Sequence, residues 1–127
     1  MKKDFKTLQI LVVDDNPLIL MSIFRFFKKI ALVKAVSTAE EALDAINEHH
    51  YDLCFLDVNL PGMTGLDAMK IMNDLSPNTK VAIMTANLLN EAMKKHVDNY
   101  AYTFIEKPFT LSDLKGVVER VKVALNH

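Results

Sequence analysis

Three aspartates, one threonine and one lysine carry the reactive possibilities of this chain. Asp14 and Asp15 close the apolar run ILVV, Asp57 closes YDLCFL, Thr85 closes KVAIM, and Lys107 follows YTFIE. Taken singly, each acid is an ordinary loop residue at the end of a strand. Carboxylates gathered on one rim, however, raise each other's pKa unless a cation compensates. An all-oxygen donor set suits Mg²⁺, which completes its octahedron with water and phosphate oxygens. Lysine adds a point charge for a phosphate or carboxylate oxygen, and a threonine hydroxyl can donate to a phosphoryl oxygen. Together these groups would complement the charge on a transferring phosphoryl group. A carboxylate can also be the acceptor and form an acyl phosphate. Asp57, alone at its strand end, is best placed for that, although spacing leaves open whether it is attacked.

These residues meet only if the runs that precede them are neighbouring strands. Gln9 to Val13 is a short continuous apolar run, which suits a strand covered on both faces. Pro17 then opens a helix that continues to about Lys29. A second strand follows over Leu32 to Val36, and Thr38 with Glu41 has capping-box spacing for a helix through Glu48. Tyr51 to Leu56 is the third strand, the LPGMTG loop follows, and a helix spans Leu66 to Asn73. Lys80 to Met84 is the fourth strand, with a helix near Leu89 to Asp98, and Tyr102 to Ile105 is the fifth. Thr110 and Asp113 form another capping pair, after which Leu114, Val117, Val118, Val121 and Leu125 mark one side of the last helix. Strands and helices alternating every ~20–25 residues indicate a doubly wound α/β fold, a parallel sheet with helices on both faces. In such sheets, sites gather at the carboxyl ends of the strands. Four of the five ends carry Asp14–Asp15, Asp57, Thr85 and Lys107.

Composition narrows the function. At 127 residues the chain makes one domain with a substantial core, and its net charge of −1 does not advertise nucleic acid or acidic lipid as a partner. No apolar stretch reaches the ~20 residues of a membrane span, and MKKDFK is not followed by a signal-peptide core, so a cytoplasmic location is expected. The single cysteine, Cys54, lies in an apolar run and reads as a small buried side chain. His49, His50, His96 and His127 form no metal-like cluster.

Other phosphate chemistries fit less well. There is no GxxxxGK[ST] phosphate loop, and no GxGxxG follows the first strand. A haloacid-dehalogenase-like phosphatase would place a second acid two residues after the nucleophile, where this chain has Asn59, and the chain lacks the bulk for a substrate cap. Two alternatives therefore stand behind a phosphoacceptor: a binding module that does not use phosphate, and a small phosphatase with an aspartate nucleophile.

VVDDNP, FLDVNLPGMTGLD, IMTA and IEKPF, in this order and spacing, resemble a response-regulator receiver domain, the phosphoacceptor module of two-component signalling. The resemblance covers residues 8–125 and leaves 1–7 as a short N-terminal extension. It implies a flavodoxin-like three-layer fold with five strands in the order 2-1-3-4-5 and five helices. It also implies that Asp57 takes a phosphoryl group from the phosphohistidine of a sensor histidine kinase or histidine phosphotransfer protein. Asp15 and Asp57 would bind Mg²⁺ directly, Asp14 would act through water, and the backbone carbonyl of Asn59 would complete the protein ligands. Thr85 and Lys107 would contact phosphoryl oxygens, with Lys107–Pro108 a cis peptide. Receivers catalyse their own phosphorylation and dephosphorylation without being conventional multiple-turnover enzymes. The face formed by the fourth helix, fifth strand and fifth helix would serve output or homodimerisation. The downstream effector is not specified, and no DNA-binding or enzymatic domain is recognisable here.

Phe104 occupies the position of the family's rotating switch aromatic, which is usually Tyr or Phe. It is either that switch, moving with Thr85, or a fixed core residue. Tyr100 stands where glycine is common, and with Tyr102 it either enlarges an aromatic surface or packs over the sheet edge. Asn59 and Asn87 are neither acidic nor basic, so neither is expected to position or block an attacking water strongly. In the first helix, LILMSIFRFF, the residues expected to face the sheet are Leu20, Ile23, Phe24 and Phe27. Ile19 and Phe26 are either exposed as a protein-contact surface or buried against the last helix. Met63 reads as loop packing.

Overall fold

A computed structural model describes residues 7–86 and 90–125. Five strands and five helices alternate: β1 (Gln9–Val13), α1 (Pro17–Phe27), β2 (Leu32–Val36), α2 (Ala39–Glu48), β3 (Leu53–Asp57), α3 (Gly65–Leu75), β4 (Lys80–Thr85), α4 (Glu91–Tyr100), β5 (Thr103–Glu106) and α5 (Leu111–Leu125). All pairings are parallel, in the order β2-β1-β3-β4-β5. This is the doubly wound, three-layer fold expected from the alternation of runs, and it makes β3, which ends at Asp57, the central strand. The start expected for the fourth helix at Leu89, and the residues Asn87 and His127, lie outside the described residues. Among the described residues no helix is long and apolar enough to cross a membrane.

The strands are apolar on both faces because each face is covered. Side chains alternate between faces along a strand, so Leu11, Val13, Cys54, Leu56, Val81 and Ile83 enter one core with residues of α2 and α3. Ile10, Val12, Leu53, Phe55, Ala82, Met84 and Ile105 enter the other with residues of α1 and α5. Phe27 stacks on Phe55 there, with ring centroids 5.9 Å apart. Cys54 is fully buried and free, and Met63 packs against the first core.

The faces of α1 differ in part from expectation. Ile23 and Phe27 are buried, but Phe24 is only half-buried and is not packed into the core. Ile19 and Phe26 are half-buried and pack against the core on the side shared by α1 and α5, so neither stands fully exposed. The exposed apolar residues of α1 are instead Leu18 (79% exposed) and Met21 (44%). On α5 the buried stripe ends at Val121, and Leu125 is exposed.

Local chemistry sets the helix starts. The Asn16 side chain accepts the N–H of Leu18 and caps α1. Thr110 and Asp113 bond reciprocally, each backbone N–H donating to the other's side chain at 2.9 and 3.1 Å. At α2, Thr38 Oγ1 accepts the Glu41 N–H at 3.1 Å, while Glu41 Oε1 accepts the Ser37 N–H and the Thr38 hydroxyl. Thr38→Ala should cost about 1 kcal/mol, roughly 4 °C in a thermal melt of a domain this size. An unchanged midpoint would mean that solvent or Ser37 replaces the cap without loss.

Candidate functional site

The site lies where the sheet runs out at its carboxyl edge. Beyond the strand ends, backbone bonds continue the ladder: Asp14 N–H donates to Val36 O at 3.2 Å, Val58 N–H to Met84 O at 2.9 Å, and Lys107 N–H to Thr85 O at 2.7 Å. The residues that follow β1, β3 and β5 are thereby tied into the ladder as well. Of the two acids that leave β1, Asp14 is fully buried while Asp15 is exposed.

Lys107 draws the parts together. Its Nζ donates to Asp14 Oδ2 at 2.9 Å and lies 3.5 Å from Asp57 Oδ2. The second oxygen of Asp14 accepts the Asn16 N–H at 2.9 Å, and Asp57 Oδ1 accepts the Asn59 N–H at 3.2 Å. Both oxygens of Asp14 are thus engaged within the protein. Thr85 is buried at the end of β4, beside these groups in the sheet, and the Lys107–Pro108 peptide is cis.

One carboxylate oxygen from each of Asp14, Asp15 and Asp57 lies within 4.8 Å of the others. Three carboxylates face one ammonium, which leaves two negative charges. That is the charge of one divalent cation, and the donor atoms are all hard oxygens, so the cluster can hold such an ion.

The carboxyl of Asp57 has its pKa raised, chiefly because burial penalises the charged form, with the Asp14 charge adding to this. The Asn59 N–H and the Lys107 ammonium oppose the shift. A raised pKa means that the folded chain holds this proton to higher pH than the unfolded chain does. The linked stability is therefore fully present at low pH and is lost as pH rises through the folded-state value. Metal-free Asp57→Asn protein should melt above the wild type at neutral pH, the two converging as pH falls below the usual aspartate range. Melts that stay a constant distance apart across the titration would show that buried charge does not separate them.

Phe104 is 49% exposed on β5, so it is not a fixed core residue. Tyr100 packs against the core on the α2–α3 side and stacks with His96, whereas Tyr102 is exposed under the Lys80 ammonium, 5.1 Å from its ring centroid. The two tyrosines thus divide between the two expectations for them. Of the histidines, His50 Nε2 contacts Asp52 Oδ1 at 3.1 Å, at the opposite end of β3 from the site.

Gly65 had no place in the expected site. It is the first residue of α3, and a Cβ there would collide with the carbonyl oxygen of Asp57. A glycine directly after the cap Thr64 was the available signal, but glycine at a helix start is ordinarily a matter of turn geometry. Here the need is for space: the described glycine with positive φ is Gly62, at 76°.

The family model for the response regulator receiver domain matches residues 10–119. The two-component response regulator PhoP of Pseudomonas aeruginosa is 31% identical over 110 residues, which cover 86% of this chain and 49% of that protein. Sporulation initiation phosphotransferase F of Bacillus subtilis is 29% identical over 113 residues, covering 88% of this chain and 91% of that one. Among solved structures, a CheY-like response regulator receiver domain protein from Methanospirillum hungatei superposes with a TM-score of 0.85 at 27% identity, covering 92% of this chain and 95% of that one. The chain spans about half of PhoP and less than a fifth of several other curated relatives.

Proposed function

The chain belongs to the response regulator receiver domain family, and from that premise we propose that Asp57 is its phosphoacceptor, served by Mg²⁺, Thr85 and Lys107. The observation that carries this reading is the contact of one lysine with two buried aspartates, at the centre of a cluster of three carboxylates. We assign residues 8–125 to the domain and 1–7 to an extension.

Asp15 and Asp57 would hold Mg²⁺ directly, Asp14 through water, and the Asn59 carbonyl would complete the protein donors. The bound ion supplies positive charge against the phosphoryl oxygens. An Asp57 carboxylate oxygen attacks phosphorus, an O–P bond forms, and the P–N bond to the donor imidazole breaks, its electron pair remaining on nitrogen. Lys107 exchanges its carboxylate contacts for a phosphoryl oxygen, and the Thr85 hydroxyl donates to another. In dephosphorylation water attacks phosphorus, the aspartyl O–P bond breaks, and the carboxylate is restored as inorganic phosphate leaves. As Thr85 moves toward the phosphoryl group, Phe104 turns inward from its exposed position, coupling the site to the α4–β5–α5 face.

The donor is a sensor histidine kinase or a histidine phosphotransfer protein, and the switched face meets an effector or a second copy of the chain. Neither direct nucleic-acid binding nor membrane insertion belongs to this domain, which would act in the cytoplasm. Incubation with a small phosphodonor and Mg²⁺ should add one phosphoryl group to the intact mass, labile to base and to hydroxylamine. Turnover of many phosphomonoesters would favour a phosphatase instead. No labelling despite demonstrated Mg²⁺ binding would sink the proposal.

A further inference from the structure

Val58, the residue that follows the proposed acceptor, is gripped from two sides. Val58 N–H donates across the sheet to Met84 O at 2.9 Å, and Val58 O accepts the N–H of Gly65 at 3.0 Å. A Cβ on Gly65 would meet the Asp57 carbonyl oxygen head-on and lie 2.8 Å from Val58 Cα and 2.9 Å from the Asp57 carbonyl carbon. All three are backbone atoms, which cannot rotate aside as a flexible side chain would. Gly65 is buried, and the next turn of α3 packs Ala68, Met69 and Met72 into the core, so the helix cannot simply back away. The strand end would have to give.

What lies on that strand end makes the contact matter. Asp57 Oδ1 is fixed by the Asn59 N–H, so the acceptor carboxylate and the backbone around Asn59 move as one unit. We propose that Gly65 is a positioning residue for phosphoryl transfer. Its missing side chain lets the first turn of α3 seat directly on the Asp57–Val58 peptide, which sets Asp57 and the Asn59 carbonyl against Asp15 and Lys107. This rests on the phosphoacceptor reading above, and Gly65 acts through the backbone without touching the reacting atoms.

Gly65→Ala tests this, with Gly116→Ala as both control and stabilising background. Gly116 lies within α5, where a Cβ meets nothing within 4 Å, and alanine favours a helix interior over glycine. Thermal melts, Mn²⁺ binding read from the signal of the free ion, and labelling rates at saturating small phosphodonor are compared in the full chain. In the Gly116→Ala background, Gly65→Ala should remain folded, bind Mn²⁺ about tenfold more weakly, and label about tenfold or more slowly. Gly116→Ala alone should match the wild type in both readouts. Unchanged Mn²⁺ affinity and labelling with only a lower melting point would overturn the proposal, as would failure to fold in the stabilised background. Wild type that binds Mn²⁺ but never labels, beside a Gly65→Ala variant that loses the ion, would defeat the phosphoacceptor reading and leave the positioning of the ligands standing.

Discussion

Asp57→Asn protein, incubated with Mg²⁺ and a small phosphodonor, is expected to lose phosphoryl incorporation by a factor on the order of a thousand or more. Asparagine keeps the shape of the side chain and its place at the end of β3, but a neutral amide is a poor nucleophile. It also removes one of the two carboxylates that hold Lys107 in position. The fold should survive, because a buried charge is being removed rather than a packed apolar group. Loss of labelling together with an intact, metal-free melt therefore separates a chemical role from a structural one. The neighbouring acids are the controls. Asp14 has both oxygens engaged, by Asn16 and by Lys107, and Asp15 is exposed. Persistent labelling in Asp57→Asn would move the acceptor to Asp15, and peptide mapping would show it.

Lys107→Met should destabilise the metal-free protein by about 2–3 kcal/mol, somewhat less than the loss of a fully buried partner, because the lysine retains some exposure. Methionine approximates the length of the lysine stem, so the change chiefly deletes the ammonium. Asp14 is then left fully buried beside Asp57 without its cation. The same deletion removes a positive charge that competes with a divalent ion for these carboxylates. Mg²⁺ should therefore raise the melting point of Lys107→Met more than that of the wild type; a hundredfold excess over the dissociation constant stabilises by about 2.7 kcal/mol. Labelling should nevertheless fall by about 10²–10³, since Mg²⁺ cannot replace the charge that Lys107 brings to a phosphoryl oxygen. Equal metal-free melting points for variant and wild type would show that Asp14 does not depend on the lysine. Equal Mg²⁺-induced shifts would show that lysine and cation do not compete.

Much of this was legible in the chain itself. Short apolar runs alternating with amphipathic stretches require a parallel sheet covered on both faces, and polar residues closing those runs must then gather at one edge. The capping pairs at Thr38 and Thr110 marked helix starts to within a residue, because a cap depends on neighbours three positions away. Helical period also placed Ile23 and Phe27 inward on α1. It could not divide the rest of that apolar helix, since Ile19 and Phe26 pack against a core assembled from strands and a helix far along the chain.

What periodicity and spacing determined was the order of elements, the edge at which the site forms, and the residue types available there. The tertiary structure decided that Lys107 bridges Asp14 and Asp57, that Phe104 stands exposed, and that Gly65 must lack a side chain. The first requires segments far apart in the chain to meet within a few ångströms. The second depends on β5 being an edge strand, and the third on how closely α3 folds back onto the end of β3. A helix or strand writes its own period into neighbouring residues, whereas the separation of two such elements is set by everything packed between them.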